Sequence, residues 1–241
     1  MDIDKVQRSI RHRIGSLHQA ANSGDITRDG FDQQVAALHR LMAKLGAHRK
    51  IQKRIARDRE SRQRFIKHAR RAAECFAAGQ KFVAVDVEIY RQVGCRDLLI
   101  EFGVTTHQSG ETISHHVVIA GREHLVPAMI PERRPFEFGE SVVMDESDAI
   151  SWLNGFVACA DCVVGHELAA DRAYLKGLVE IPETDWFDTA FMTGLLNGRR
   201  LSLSEAASAY GVEARFPHNG GNDARYTLET LLKMCEAAEA A

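Results

Sequence analysis

FVAVDVEIY, residues 82–90, decides the fold. Phe82, Val83, Val85, Val87 and Ile89 are strong strand formers, yet Asp86 and Glu88 stand among them. Residues i and i+2 of a strand point to the same face, so the two acids lie side by side. Two like charges so placed repel unless something cationic sits between them. A solvated edge strand accounts for an isolated D-x-E, so the rest of the chain has to decide between that reading and a charged site.

Downstream of Lys81 the texture is mixed α/β. Lys81–Ile89 is the first strand, and Leu98–Thr106 and Thr112–Ala120 make an antiparallel hairpin around the turn HQSGE. Residues 121–144 are Pro-rich and irregular. Helix is then expected over Ser147–Ala160, strand over Asp161–Gly165, helix over Leu168–Leu178 and strand over Asp185–Asp188. Further helices are expected near Thr189–Leu196, at Ser202–Tyr210 behind a Ser202/Glu205 capping box, and at Asn222–Ala238. Three antiparallel strands followed by alternating helix and strand predict an α/β domain over residues 79–241 with a mixed five-stranded sheet.

Upstream, residues 1–78 read as a separate all-helical region. Ile3, Val6, Ile10, Ile14 and Leu17 recur at helical spacing, and Phe31, Val35, Leu38, Leu41 and Leu45 do so again after the turn cluster NSGDITRDG. The two form an antiparallel hairpin. A third helix is expected from Arg49 to Phe76 after a break near Gly46, with an apolar stripe that fails at RDRESRQR, residues 57–64. Charge follows the same division: residues 1–80 carry a balance of +10 and residues 81–241 one of −12, within a net charge of −2. A basic end points to an anionic partner. Arg49, Lys50, Lys53, Arg54, Arg57, Arg64, Lys67, Arg70 and Arg71 could neutralise phosphates. An oligomerisation arm is the competing reading of the same helix.

Composition excludes several classes. No apolar run approaches the ~20 residues that span a bilayer, and the N-terminus lacks the apolar core of a secretory signal. The expectation is a cytoplasmic protein with no membrane partner. Five cysteines, Cys75, Cys95, Cys159, Cys162 and Cys235, are odd in number and set in apolar segments, so they read as reduced, buried thiols. Cys159 and Cys162 have C-x-x-C spacing, but no second pair is present to complete a zinc site. Core packing is the expected role.

Three more segments bear on Asp86 and Glu88. VVGHELAADRAYL (163–175) ends a short strand at Gly165 and carries Asp171 in the early turns of a helix. DWFDTA (185–190) ends a strand in Asp188. FPHNGGNDARYTLETLL (216–232) holds His218 in a Gly-rich turn, five residues before Asp223. Singly, each residue has an ordinary reading: a solvated acid, a partner for a helix dipole, a turn histidine.

Taken together, D-x-E on the first strand, GH-x4-D at a strand–helix junction and H-x4-D entering the last helix resemble the DEDDh 3′→5′ exonucleases of the ribonuclease-H-like fold. The similarity covers residues 81–238. The resemblance implies that Asp86, Glu88, Asp171 and Asp223 hold two divalent cations, Mg²⁺ or Mn²⁺, and that His218 is the general base. In that scheme Asp86 bridges the ions, Glu88 and Asp223 hold the one that activates water, and Asp171 supports the other. Asp188 matches a supportive aspartate of the family rather than a ligand. The chemistry agrees: four crowded carboxylates repel by several kcal/mol at low dielectric, oxygen-only donors favour hard ions over zinc, and two ions can clamp both oxygens of a phosphodiester displacement. Two positions depart from the pattern: Ile89 stands where threonine is frequent, and Glu167 replaces the amide of a GHN triplet.

The function implied is a metal-dependent exonuclease that shortens a single-stranded nucleic acid from its 3′ end and releases nucleoside 5′-monophosphates, with the Arg-rich arm favouring RNA over DNA. An inactive exonuclease-like module that binds nucleic acid or protein is the alternative, and the full set of acids speaks against it. The long N-terminal helices would also suit a homodimer.

Overall fold

The computed structural model describes residues 3–91, 97–125, 135–216 and 218–240. Cys95 and part of the Pro-rich stretch, residues 126–134, lie outside them. The chain divides into two compact units, Met1–Ser61 and Arg62–Ala241.

In the first unit, α1 (Ile3–Ser23) lies against the opening part of α2 (Arg28–Ala77). Ile10, Leu17 and Leu45 are buried, His18 meets Phe31 edge to face, and Asp4 pairs with Arg49 at 2.9 Å. The break expected near Gly46 is absent, and α2 is one helix of 50 residues. A helical glycine costs only about 1 kcal/mol, and the leucine-, alanine- and lysine-rich sequence around it absorbs that. Beyond Arg49 α2 is exposed in this unit, and Ile51 and Ile55 are each 56% exposed.

The second unit, Arg62–Ala241, takes in the end of α2. Once the charged stretch ends, Phe65, Ala69, Ala72 and Cys75 return to helical spacing and enter a core with Phe82, Val164 and Phe187. The sheet comprises β1 (Phe82–Tyr90), β2 (Leu98–Gln108), β3 (Glu111–Ile119), β4 (Ser141–Met144), β5 (Cys162–Gly165) and β6 (Asp185–Asp188), in the order β4-β3-β2-β1-β5-β6. Six strands are thus present among the described residues, one more than expected. The extra strand is β4, four residues inside the stretch read as irregular. It pairs in parallel with β3 at the sheet edge, an interaction that so short a segment does not advertise. The pairs β1/β2 and β2/β3 are antiparallel, whereas β1/β5 and β5/β6 are parallel.

Alternation along β1 separates two cores. Phe82 and Ala84 face α7 (Gly220–Glu239) and the end of α2, packed on Leu228, Leu231 and Met234. Val83, Val85 and Val87 face α3 (Glu146–Ala158) through Ala149, Leu153 and Val157. Each such fully buried aliphatic or aromatic side chain contributes about 1.5–3 kcal/mol. Asp86 and Glu88 share the parity of Phe82 and Ala84, so the strand that fills both cores also aims its acids at the α7 side. The remaining helices are α4 (Leu168–Leu175), α5 (Thr189–Asn197) and α6 (Leu203–Ala209). The Ser202/Glu205 capping box expected for α6 is present with both of its hydrogen bonds.

Candidate active site

β1 and β5 pair over Phe82–Ala84 and Cys162–Val164. The ladder ends at Ala84, and Asp86 and Glu88 follow it on β1. From across the sheet, α7 brings Asp223 on its first turn. Carboxylate oxygens of Asp86, Glu88 and Asp223 all lie within 4.8 Å of one another. Asp171, from α4, stands outside this close triple but near enough that its charge acts on Asp86.

Burial first, and then the charges of Asp223, Glu88, Asp171 and Glu101, push the Asp86 carboxyl well above its ordinary range. Burial and Glu101 raise Glu88 to about 7. Burial, followed by Glu88, Asp188 and Glu167, raises Asp171 to about 7. Asp223 is also raised to about 7 by burial, with Glu88 and Glu101 adding to it and the backbone N–H of His218 working in the other direction. Asp223 Oδ1 is buried without a hydrogen-bond partner. An orphaned carboxylate oxygen among mutually repelling acids fits a divalent cation, and the all-oxygen donor set fits a hard one.

These shifts carry a stability consequence. Between about pH 4, where the unfolded carboxyls ionise, and about pH 7, the folded cage holds protons that the unfolded chain has shed. The stabilisation is complete below the unfolded values and is lost as the pH rises through the folded ones. In EDTA, a single such carboxyl accounts for a loss of about 2–3 kcal/mol between pH 5 and 8, so a fall of at least ~5–10 °C in Tm is expected. Saturating Mn²⁺ should abolish the fall, because it replaces protons as the counter-charge. Thermal melts across that range, with and without the ion, check this.

His218 is exposed, with φ 64°, and its backbone N–H donates to Asp223 Oδ2 at 3.0 Å. Asn219 caps α7, its side chain accepting from the Asn222 N–H. The histidine and the acid of the third motif are therefore joined through the backbone, with the imidazole at the solvent rim. His166 is a clasp: Nδ1 lies 2.8 Å from Thr189 Oγ1 and Nε2 lies 2.9 Å from Leu201 O. Asp188 Oδ1 accepts from the backbone N–H groups of Glu167 and Phe191, so it caps α5 and fixes the second-motif loop. Glu167 has φ 60°, a left-handed conformation in which asparagine is more at ease than glutamate.

Two residues escaped the sequence reading. Glu101 of β2 sits directly opposite Glu88 and is fully buried. His116 of β3 is also buried, with Nε2 3.3 Å from Glu101 Oε1. The available signal was an acid inside the apolar run LLIEFGV, and the register of β2 on β1 places it beside the D-x-E pair. The cysteines also sort differently. Cys159 is exposed, contrary to expectation, while buried Cys162 neighbours Cys75 and Asp185 rather than its C-x-x-C partner.

This sheet order, with acids from β1, α4 and α7 and a histidine ahead of the last helix, defines a ribonuclease-H-like exonuclease domain. The chain belongs to the DEDDh_C family, described as DNA polymerase III subunit epsilon-like, C-terminal domain, whose model matches residues 81–234. Divalent metal ions are general in DEDDh exonucleases. An uncharacterized nucleolar protein of Schizosaccharomyces pombe is 28% identical over 206 residues, covering 78% of this chain and 84% of that one. An uncharacterized protein of Saccharomyces cerevisiae is 26% identical over 195 residues, covering 63% of this chain and 40% of that one. Among solved structures, the Neurospora crassa Pan2 catalytic unit (protease and nuclease domain) matches with a TM-score of 0.50 and 18% identity, over 67% of this chain and 28% of that one. The Escherichia coli exonuclease I complex with single-stranded DNA matches with a TM-score of 0.47 and 14% identity, over 67% and 41%. No helix of the described residues is long and apolar enough to cross a membrane.

Proposed function

We propose that this protein is a divalent-cation-dependent 3′→5′ exonuclease acting on single-stranded nucleic acid, RNA in preference to DNA, and releasing nucleoside 5′-monophosphates. The observation that carries this reading is the cluster of Asp86, Glu88 and Asp223, with a buried oxygen of Asp223 unpartnered. Asp86, which feels the charges of Asp223, Glu88 and Asp171 alike, is the residue suited to be shared between two ions. Glu88 and Asp223 would hold one of them and Asp171 would support the other. Bound Mg²⁺ or Mn²⁺ supplies charge stabilisation to the attacking and leaving oxygens of a phosphodiester displacement.

The protein's own groups do the rest. His218, exposed at the rim, can take a proton from the attacking water and pass it to solvent. Its backbone tie to Asp223 keeps it in register with the cage. In the N-terminal unit, Lys50, Lys53, Arg54 and Arg57 are exposed on α2. They would contact phosphates, with affinity falling steeply as salt rises. Exposed Ile51 and Ile55, one helical turn apart, favour a second use of the same helix, pairing with another copy of the chain.

The test is digestion of 5′-labelled single-stranded RNA and DNA oligonucleotides with Mg²⁺ or Mn²⁺. A ladder shortening from the 3′ end, absent in EDTA and with RNA cut faster, is the expected result. Oligonucleotides left intact under every condition, but still bound, would replace the enzyme with a binding module.

A further inference from the structure

Glu101 poses a problem of its own. A fully buried carboxylate opposite Glu88 adds to the repulsion in the cage, since its charge acts on Asp86, Glu88 and Asp223. A buried charge is costly unless it is well partnered. The Gly220 N–H, at the start of α7, donates to Glu101 Oε1 at 3.2 Å. This donor is one of those a helix N-terminus leaves unpaired. The same oxygen lies 3.3 Å from His116 Nε2, close but without hydrogen-bond geometry, and His116 Nδ1 lies 2.7 Å from Ser141 Oγ on β4. A buried polar line thus crosses the sheet from β2 to β4 beneath the first turn of α7.

The backbone meets this line at close range. A Cβ on Gly220 would stand 2.9 Å from Gly103 N, and a Cβ on Gly221 would stand 2.7 Å from His116 Cβ. The first turn of α7 therefore rests directly on β2 and β3, with Glu101 taking its leading N–H. Asp223 follows three residues later on the same turn.

We propose that Glu101 is a positioning residue: its Oε1, accepting from the Gly220 N–H, pins the first turn of α7 to the sheet and so sets where Asp223 stands in the cage. This rests on the reading of the cage as a divalent-cation site. The acceptor oxygen matters here, and the negative charge does not.

Full-length Glu101→Gln and Glu101→Leu separate the two, because both remove the charge at similar volume and only glutamine keeps an oxygen for Gly220 N–H. Two readouts are needed: Mn²⁺ binding without nucleic acid, and hydrogen exchange of the Gly220–Asp223 amides in EDTA. Glutamine should stay within about threefold of the unaltered protein in both, whereas leucine should weaken Mn²⁺ binding by ~10-fold or more and speed local exchange by a similar factor. Amides at Leu228–Met234 should keep their protection in both variants, which tells a local release from unfolding. Equal losses in the two variants would assign the effect to charge and overturn the proposal, as would unchanged exchange in the leucine variant. If the unaltered protein binds no Mn²⁺, the cage reading falls, and the exchange data still decide whether Glu101 holds the turn.

Discussion

Asp86→Ala is expected to lower the rate of 3′-end shortening by at least ~10³-fold, about 4 kcal/mol of transition-state stabilisation. The same substitution should raise the Tm of the metal-free protein at pH 8. The two effects have one cause. Asp86 is held at the centre of the acids by a strand whose other residues fill the cores, and in the absence of a cation its ionised form is opposed by burial and by Asp223, Glu88, Asp171 and Glu101. Removing it relieves that repulsion and, in the proposed mechanism, takes away the ligand that two ions would share. An acid kept for structure would behave in the opposite way, since its loss would leave partners unsatisfied and lower the Tm. Oligonucleotide digestion and thermal melts in EDTA, on the same preparation, check both halves. Retained activity with a lower Tm would sink the assignment of Asp86.

The second large effect is expected at Gly103. This residue lies opposite Asp86 on β2, and a Cβ there would collide with the carbonyl of Gly220. Both sides of the contact are backbone, so no rotamer change relieves it. Gly103→Ala should cost about 3 kcal/mol or more, a fall of ~6–12 °C in Tm. Molecules that remain folded should also lose activity, because α7 can yield only by lifting Asp223 from the cage. Gly46→Ala is the control: nothing lies within 4 Å of its would-be Cβ, it sits within α2, and a gain of about 0.5–1 kcal/mol is expected. Chemical denaturation of the two variants compares them directly.

Much of the molecule is legible in the chain because its signals are local or come in ordered sets. The strand formers of FVAVDVEIY mark a strand, and the spacings G-H-x4-D and H-x4-D place further acids at helix starts. None of those segments is specific alone, but their order along the chain is. The capping box at Ser202 and Glu205 is local in the same sense, and it forms as expected.

Most of what escaped is non-local. Four residues of β4 become a strand only because β3 offers an open edge. The length of α2 was misread at Gly46, where the local cost of a glycine is too small to end a helix with good formers on either side. Cys162 finds Cys75 across the fold rather than Cys159 three residues away.

The sequence by itself determined the α/β layout, the identity of the candidate acids and the basic character of the N-terminal helices, since each is written in periodicity, spacing or charge. Only the tertiary structure decided that Glu101 and His116 stand beneath the site and that glycine meets glycine where α7 crosses the sheet. The reason is physical: strand register and helix docking bring together residues more than a hundred positions apart, and no local pattern records which of them will touch.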